Sequence, residues 1–478
     1  MRKVILNILK MKTNIDDYID ENQNNIYNEK SNNESLKKIY GLSENIVREL
    51  SKEKNEPDWV LDIRLKALKL FYELEDPSWG PDISYLDINN IATYVKSING
   101  EKKSWDEVPS DIKNIFDKLG IPEAEKESLA GVGAQFDSEV VYHNMTEKMK
   151  KLGVIYTNFD TAIKEYPDLV KEYFTKAVPI IDHKYIALHY ALFSGGSFVY
   201  IPKDTTLDLP LQSYFRLNEK GAGQFEHTLI IVDENSKLEF IEGCSAPGYN
   251  DLNLHAGCVE LFVKKNAYLR FSTIENWSKN MLNLNTKKCY VEENGKIEWI
   301  MGSFGSKVSM LYPLSVLNGR NAKCEFTALS FAGKGQNLDT GLKVIHNAPN
   351  TSTTVNSKSI SKDGGICTFR SNVFVKKNAN DSSLSLSCES LMLDSLSKSD
   401  TIPANTIENN TTTLSHEASI GKISDETIFY LMTKGLSEQE AKTLIVQGFA
   451  DPIAKEFPVE YAVEMNRLIN LELEGTIG

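Results

Sequence analysis

Nowhere in the 478 residues does an apolar run approach the ~20 positions that span a bilayer, so no membrane-crossing helix is expected. Positive charge is also scarce: 53 Lys+Arg against 66 Asp+Glu leave a net charge of −13, which opposes generic binding to nucleic-acid backbones. The six cysteines, Cys244, Cys258, Cys289, Cys324, Cys367 and Cys388, are 14, 31, 35, 43 and 21 residues apart, and no CxxC exists. Such spacing suits neither a local zinc knuckle nor a disulfide scaffold, and reduced thiols are expected. Also missing are GxxxxGK[ST] and GxGxxG, so the chain should hold no nucleotide. HxH and HExxH are absent too, and with them any zinc-hydrolase signature. A basic start precedes the apolar patch Val4–Leu9, but the patch is short and no small-residue cleavage site follows. It reads as the first turns of a helix, with the cytoplasm as the expected compartment.

What is present is enough apolar sequence, 41% of residues, for a sizeable core, in a chain too long for one compact unit. Residues 1–145 read as a mostly helical domain, with 1–40 expected to be mobile because 12–35 are rich in Asn, Asp, Glu and Lys. Within it, Ser43–Leu74 repeats apolar residues every three or four positions and is broken by Pro57, which predicts two amphipathic helices.

From about Gly195 the pattern becomes alternating runs such as Ser197–Ile201, His227–Val232 and Lys237–Ile241, which is strand chemistry. A turn with Asn before a small residue recurs at Asn235, Asn266, Asn294, Asn321, Asn350, Asn378 and Asn410, at intervals of 31, 28, 27, 29, 28 and 32 residues. Asn tolerates the left-handed conformation, and a period near 29 marks a solenoid. The expected fold is mainly β: a right-handed parallel β-helix core over 146–418, flanked by N-terminal and C-terminal helical domains. In the last of these, 419–478, Ser424 caps a helix to Lys434, Ser437 with Glu440 opens a second that Gly448 ends, and Pro458 starts a third running to about Glu474.

Thiols are the natural carriers of chemistry here. Cys244, in Ile-Glu-Gly-Cys-Ser-Ala-Pro, sits at a strand end and is either reachable by a partner or a small buried hydrophobe. Cys388 and His416 are 28 residues apart, one repeat, which places them on adjacent coils ~5 Å apart. With Glu417 they make either an iron–sulfur ligand set or a core cysteine beside a capping histidine. Cys258, Cys289, Cys324 and Cys367 read as core packing.

Beyond single residues, the chain resembles the SufB branch of the SufB/SufD family, the scaffolds of the SUF iron–sulfur cluster assembly system. The segments that carry the resemblance are Lys54–Leu68, Tyr214–Asn218, Gly223–Glu226, Ile241–Pro247, Leu254–Ala256, Ser272–Trp277, Asp339–Gly341, Cys388–Leu391, His416–Ala418 and Gly435–Ala441. The resemblance implies a scaffold, rather than an enzyme with turnover of its own, that builds a nascent cluster. Its implied partners are a cysteine desulfurase system as sulfur donor, the SufC ATPase docked on 424–474, and SufD or a second copy of this chain. Cys244 matches the family's sulfur acceptor and Cys388 the cysteine where the cluster forms. Arg216, Asn218, Thr273, Glu275, Trp277 and Lys287 match a polar sulfur route between them, in which cations and donors would lower a thiol's pKa. A transient cluster on Cys388, His416 and Glu417 is implied, and a reduced flavin is left open. Two departures stand out: Ser415 replaces a carboxylate, and Glu275 replaces Gln and brings a negative charge into the route. The competing readings are a surface-groove β-helix polysaccharide lyase or hydrolase, and a SufD-like structural subunit.

Overall fold

In a computed structural model the described residues are 30, 35–98, 100–122, 128–457 and 459–474. The expected helical turns at Val4–Leu9 and most of the expected mobile stretch lie outside them. The centre of the chain is a parallel β-solenoid of about eight turns. Its first sheet has ten strands, running from Glu139–Met145 and Gly131–Phe136 through Leu211–Arg216, Lys237–Ser245 and Tyr268–Asn276 to Ser383–Met392 and Thr413–Lys422. A second sheet of thirteen strands closes the coil.

The coil changes shape along its axis. Val308–Leu311 and Leu314–Leu317, separated by Tyr312 and Pro313, both pair with the single strand Asn337–His346. Earlier coils therefore have three sides, while later ones have two long ten-residue sides. Left-handed residues mark one corner at Asp204, Asn235, Asn266, Asn294, Asn321, Asn350 and Asp381. Five of the seven expected asparagines hold this role; in the coil after Asn350 the left-handed residue is Asp381, not Asn378. From Asp204 to Asn321 the side-chain amides form a ladder with steps of 2.6–2.9 Å.

Side chains alternate across each strand. The inward set, including Leu238, Phe240, Leu269, Phe271, Trp299, Phe326 and Leu386, forms the solenoid core. Outward residues of the second sheet, such as Leu229, Ile231 and Leu282, pack under the helices Glu44–Glu53, Asp58–Glu73, Phe159–Glu165 and Lys184–Leu192. Thus helices occupy much of 159–192, inside the stretch expected to be β-helix, while 131–145, expected in the helical domain, extends the solenoid sheet through pairing with Leu211–Arg216. Local periodicity identifies the element but not the sheet it joins.

Outward residues of the first sheet, Ile274, Ile300, Leu329 and Phe331, are covered by the C-terminal helices Asp425–Met432, Glu438–Ala454 and Val459–Glu474. The Ser424 cap and the Ser437–Glu440 capping box form as expected. Gly448 does not end the second helix, which runs on through Pro452 to Ala454 because burial of Ala450, Ile453 and Ala454 outweighs the local breakers. Among the described residues no helix is long and apolar enough to cross a membrane.

Docking of the last helix should depend on pH. Burial pushes the Glu472 carboxyl up to about 7, with Lys279 and Lys362 pulling the other way. A carboxyl raised above its unfolded value stabilises the fold only while protonated, so this contribution is complete below about pH 4.5 and is lost as pH rises through about 7. Amide exchange in Val459–Glu474 should be slower at pH 6 than at pH 8 after correction for intrinsic rates. Glu472→Gln should remove the difference, worth about 1.4 kcal/mol between these two pH values.

Candidate functional site

Three successive coils of the three-sided part stack their polar residues on one axis. Cys244 pairs in register with Phe215 on one side and Glu275 on the other, and Glu242 pairs with Thr273. All point into the coil together with Lys287, which aligns with the inward Val259. The Lys287 ammonium bonds the Glu242 carboxylate and donates to Thr273 Oγ1 at 3.0 Å. Beside it, Asn283 Nδ2 donates to Glu275 Oε2 at 2.6 Å, and Asn283 Oδ1 lies 2.7 Å from His255 Nδ1. His255 Nε2 in turn lies 2.5 Å from Glu226 Oε1. Gly257 makes room for this pair, because a Cβ there would lie 2.2 Å from Glu226 Oε1. The Trp277 ring packs 4.5 Å from the His255 ring and shares an apolar cluster with Cys244.

This interior is closed and acidic. Cys244, Glu242, Glu275 and Lys287 are each at most 1% exposed. Burial pushes the Cys244 thiol well up, with the negative charges of Glu242, Glu275 and Glu226 adding to it and Lys287 only partly opposing them. The expectation that the route lowers the thiol's pKa is therefore reversed: Lys287 is engaged by Glu242 and cannot serve Cys244 alone. Burial also raises the Glu275 carboxyl, despite Lys287 and His255 nearby. The strand-end position expected to expose Cys244 does not do so: its side chain is buried inside the coil, in an apolar cluster with Phe215, Trp277 and Met281 that extends to Ala92 and Val95 of the N-terminal strand Ala92–Lys96.

Of the six expected route residues, Thr273, Glu275, Trp277 and Lys287 gather here. Arg216 aligns with Ser245, one step from Cys244, and so lies on the other sheet face, donating to Ser245 Oγ at 3.0 Å. Asn218 lies past the strand end; its backbone N–H donates to Asp137 Oδ1 at 2.7 Å and its carbonyl accepts from the Tyr249 hydroxyl at 2.6 Å. The reading of single residues missed Glu226, Glu242, His255 and Asn283. Their signal was spacing: Glu226 and His255 are 29 residues apart, and His255 and Asn283 are 28 apart, each close to one coil.

The second thiol lies at the opposite end, in the two-sided part. Cys388 Sγ is 3.9 Å from His416 Nε2. They are not register partners: Cys388 aligns with Ala418, and His416 with Leu386. This coil is 30 residues long, not 28, so the pair is offset by two positions, which preserves the shared face. Ser415 and Glu417 fall on the opposite, exposed face of the same strand. Burial pushes the Cys388 thiol up to about 11. Beyond this strand and its neighbour Lys398–Ile407 no further coil follows among the described residues, and Ile402, Leu414 and Ile420 are exposed.

Residues 53–213 match the family model described as the SufBD protein N-terminal region, and residues 215–449 match the SUF system FeS cluster assembly, SufBD core domain. The chain is similar to an iron-sulfur cluster assembly SufBD family protein of Staphylococcus haemolyticus, 53% identical over 92% of this chain and 94% of the relative. It is also similar to proteins so described from Staphylococcus epidermidis and Staphylococcus aureus, each 52% identical with the same coverage. A parallel β-solenoid with helices on both outer faces, matched along almost its whole length, makes this chain a member of the SufBD family of the SUF iron–sulfur cluster assembly system.

Proposed function

We propose that this chain is a SufB-type scaffold on which a nascent iron–sulfur cluster is built. In this reading a cysteine desulfurase system supplies sulfur to Cys244, and Cys388, His416 and Glu417 bind the growing cluster. The observation that carries it is the Cys388–His416 contact at the open end of the solenoid, a thiol and an imidazole 3.9 Å apart with unpaired strand edges beside them. Those edges and the exposed Ile402, Leu414 and Ile420 suit a partner of like architecture, SufD or a second copy of this chain. Glu417 faces away from Cys388, so its part depends on that partner completing the site.

Sulfur transfer would move the outer sulfur of a donor persulfide onto the Cys244 thiol and release the donor thiol, leaving electrons and atoms balanced. Since the thiol is buried, delivery requires the structure around it to open. Sulfur-35 transferred from the desulfurase to Cys244→Ser should fall to roughly a tenth of the wild-type value or less, as expected when the thiolate nucleophile itself is removed. Equal labelling would favour a SufD-like structural role, for which the buried, high-pKa Cys244 is the one supporting observation.

The SufC ATPase is assigned to 424–474. Leu431, Ile445 and Phe449 are partly buried against the chain's own core. The exposed large apolar groups of this segment are Phe429, Tyr430, Met432, Leu444 and Val463, with Phe429 68% exposed. Phe429→Asp should weaken SufC binding by roughly 10- to 30-fold in calorimetry, the loss of one buried aromatic contact, with the thermal midpoint unchanged. Unaltered affinity would move the interface elsewhere.

A further inference from the structure

Between the solenoid's outer face and the helix Lys184–Leu192 lies a second group of metal-ligating side chains, His189, His227 and Cys258, whose candidate ligand atoms all lie within 4.8 Å of one another. His227 and Cys258 are register partners on successive coils, and both point away from the lumen that holds Cys244, since the neighbouring Ile230, Val232, Val259 and Leu261 point inward. Reading Cys258 as core packing and the histidines as unpaired overlooks this register.

The hydrogen bonds around the group leave one gap. The Ala256 carbonyl, 2.8 Å from His189 Nδ1, can only accept, so the hydrogen of neutral His189 is on Nδ1 and its Nε2 is a lone pair. The Glu260 carboxylate already accepts three backbone N–H groups, those of Thr175, Ala177 and Val178 at 2.8 Å, and the Tyr190 hydroxyl, which donates to the Val178 carbonyl at 2.7 Å, lies 3.3 Å from it. His227 Nε2 is fully buried, 3.4 Å from that carboxylate, and forms no hydrogen bond. With its hydrogen on Nδ1, His227 donates to His189 Nε2 across 3.0 Å and turns the Nε2 lone pair toward the carboxylate; with the hydrogen on Nε2, two lone pairs face each other across that 3.0 Å. The rings of Phe159 and Phe174 lie 4.4 and 4.8 Å from that of His227. Either neutral tautomer sets one acceptor against another beside a thiol, and a cation between the two nitrogens removes the conflict.

We infer that His189 Nε2, His227 Nδ1 and Cys258 Sγ bind a borderline divalent transition metal of the zinc class, which fastens the helical layer to two coils. His189 already has the outer partner that metal-bound imidazoles use, the Ala256 carbonyl, and the Glu260 carboxylate 3.4 Å from His227 Nε2 is placed to become the other. A tetrahedral ion asks for ~3.3 Å between nitrogens and ~3.6 Å from nitrogen to sulfur, so the nitrogens part by ~0.3 Å and the sulfur closes by at most ~1.2 Å. Binding converts the thiol to a thiolate and releases one proton per ion. Imidazole and thiolate ligands select against magnesium and calcium.

Cobalt(II) is the probe. The full chain carrying Cys244→Ala and Cys388→Ala, so that neither can supply a ligand, is produced with cobalt and then passed through chelator and gel filtration. It should retain about one ion per chain, with a thiolate-to-cobalt charge-transfer band and intense visible bands of four-coordinate cobalt. Cys258→Ser in that background should lose the charge-transfer band, and His227→Gln should lower retention at least about tenfold. A folded parent variant that retains less than about a tenth of an ion, or retains cobalt without the thiolate band, overturns the assignment even if the further variants do not fold.

Discussion

Cys388→Ser should lose nearly all of the cluster formed by anaerobic reconstitution with iron and sulfide, and His416→Ala should do the same. A hydroxyl replaces a soft thiolate poorly as an iron ligand, and the imidazole 3.9 Å away offers a nitrogen ligand on the same face. Losses of about 10- to 100-fold in metal affinity are ordinary for even a supporting residue, so removal of a direct ligand should bring visible and Mössbauer signals close to background. Glu417→Ala should weaken the cluster only in the assembled complex, because on one chain its side chain projects from the opposite face. Ser415→Ala, on that same exposed face, should have little effect. Damage from Ser415→Ala equal to that from Cys388→Ser, or full cluster yield in His416→Ala, would show that the ligands come from elsewhere.

Lys287→Met should destabilise the solenoid by about 3–5 kcal/mol, the usual result of removing one partner from a buried ion pair. The ammonium is fully buried, bonded to Glu242 and Thr273, and lies 5.0 Å over the Phe271 ring. Its removal leaves Glu242 in the coil without its ion-pair partner, and the burial that already raises the Glu275 carboxyl is then opposed by His255 without Lys287. That raises the folded pKa of Glu275 further. The mutant's deficit should therefore be small near pH 4.5 and grow as pH rises through that raised value, while urea midpoints of the wild type change less over the range. Adding Glu242→Gln should recover part of the loss, since a neutral amide needs no counter-charge. A Lys287→Met protein as stable as the wild type at pH 8 would show that the interior carboxylates are already neutral.

The solenoid was legible from the chain because its rules are local and repeated. Alternation with period two gives strands, and an Asn that tolerates the left-handed conformation every 27–31 residues gives corners at Asn235 through Asn350. The helix caps at Ser424 and Ser437 are short-range hydrogen bonds and could be read directly. Family likeness pointed to Cys244, Cys388 and their neighbours, since those residues sit in contiguous segments.

Only the tertiary structure could decide which way each residue faces and what lies across from it. A one-residue difference in alignment puts Arg216 on the far side of the sheet from Cys244, and two residues of extra coil length offset His416 from Cys388 without separating them. The extent of burial was equally hidden: the apolar cluster that holds Cys244 includes Ala92 and Val95, about 150 positions earlier. The carboxylates that raise its pKa come from three different coils. Likewise His189, His227 and Cys258 meet only because a helix closes over two stacked strands. Periodicity determines the kind of element at each position, because it depends on neighbours within a few residues. Electrostatics and metal ligation depend on distances in space, and coil length and layer packing decide those.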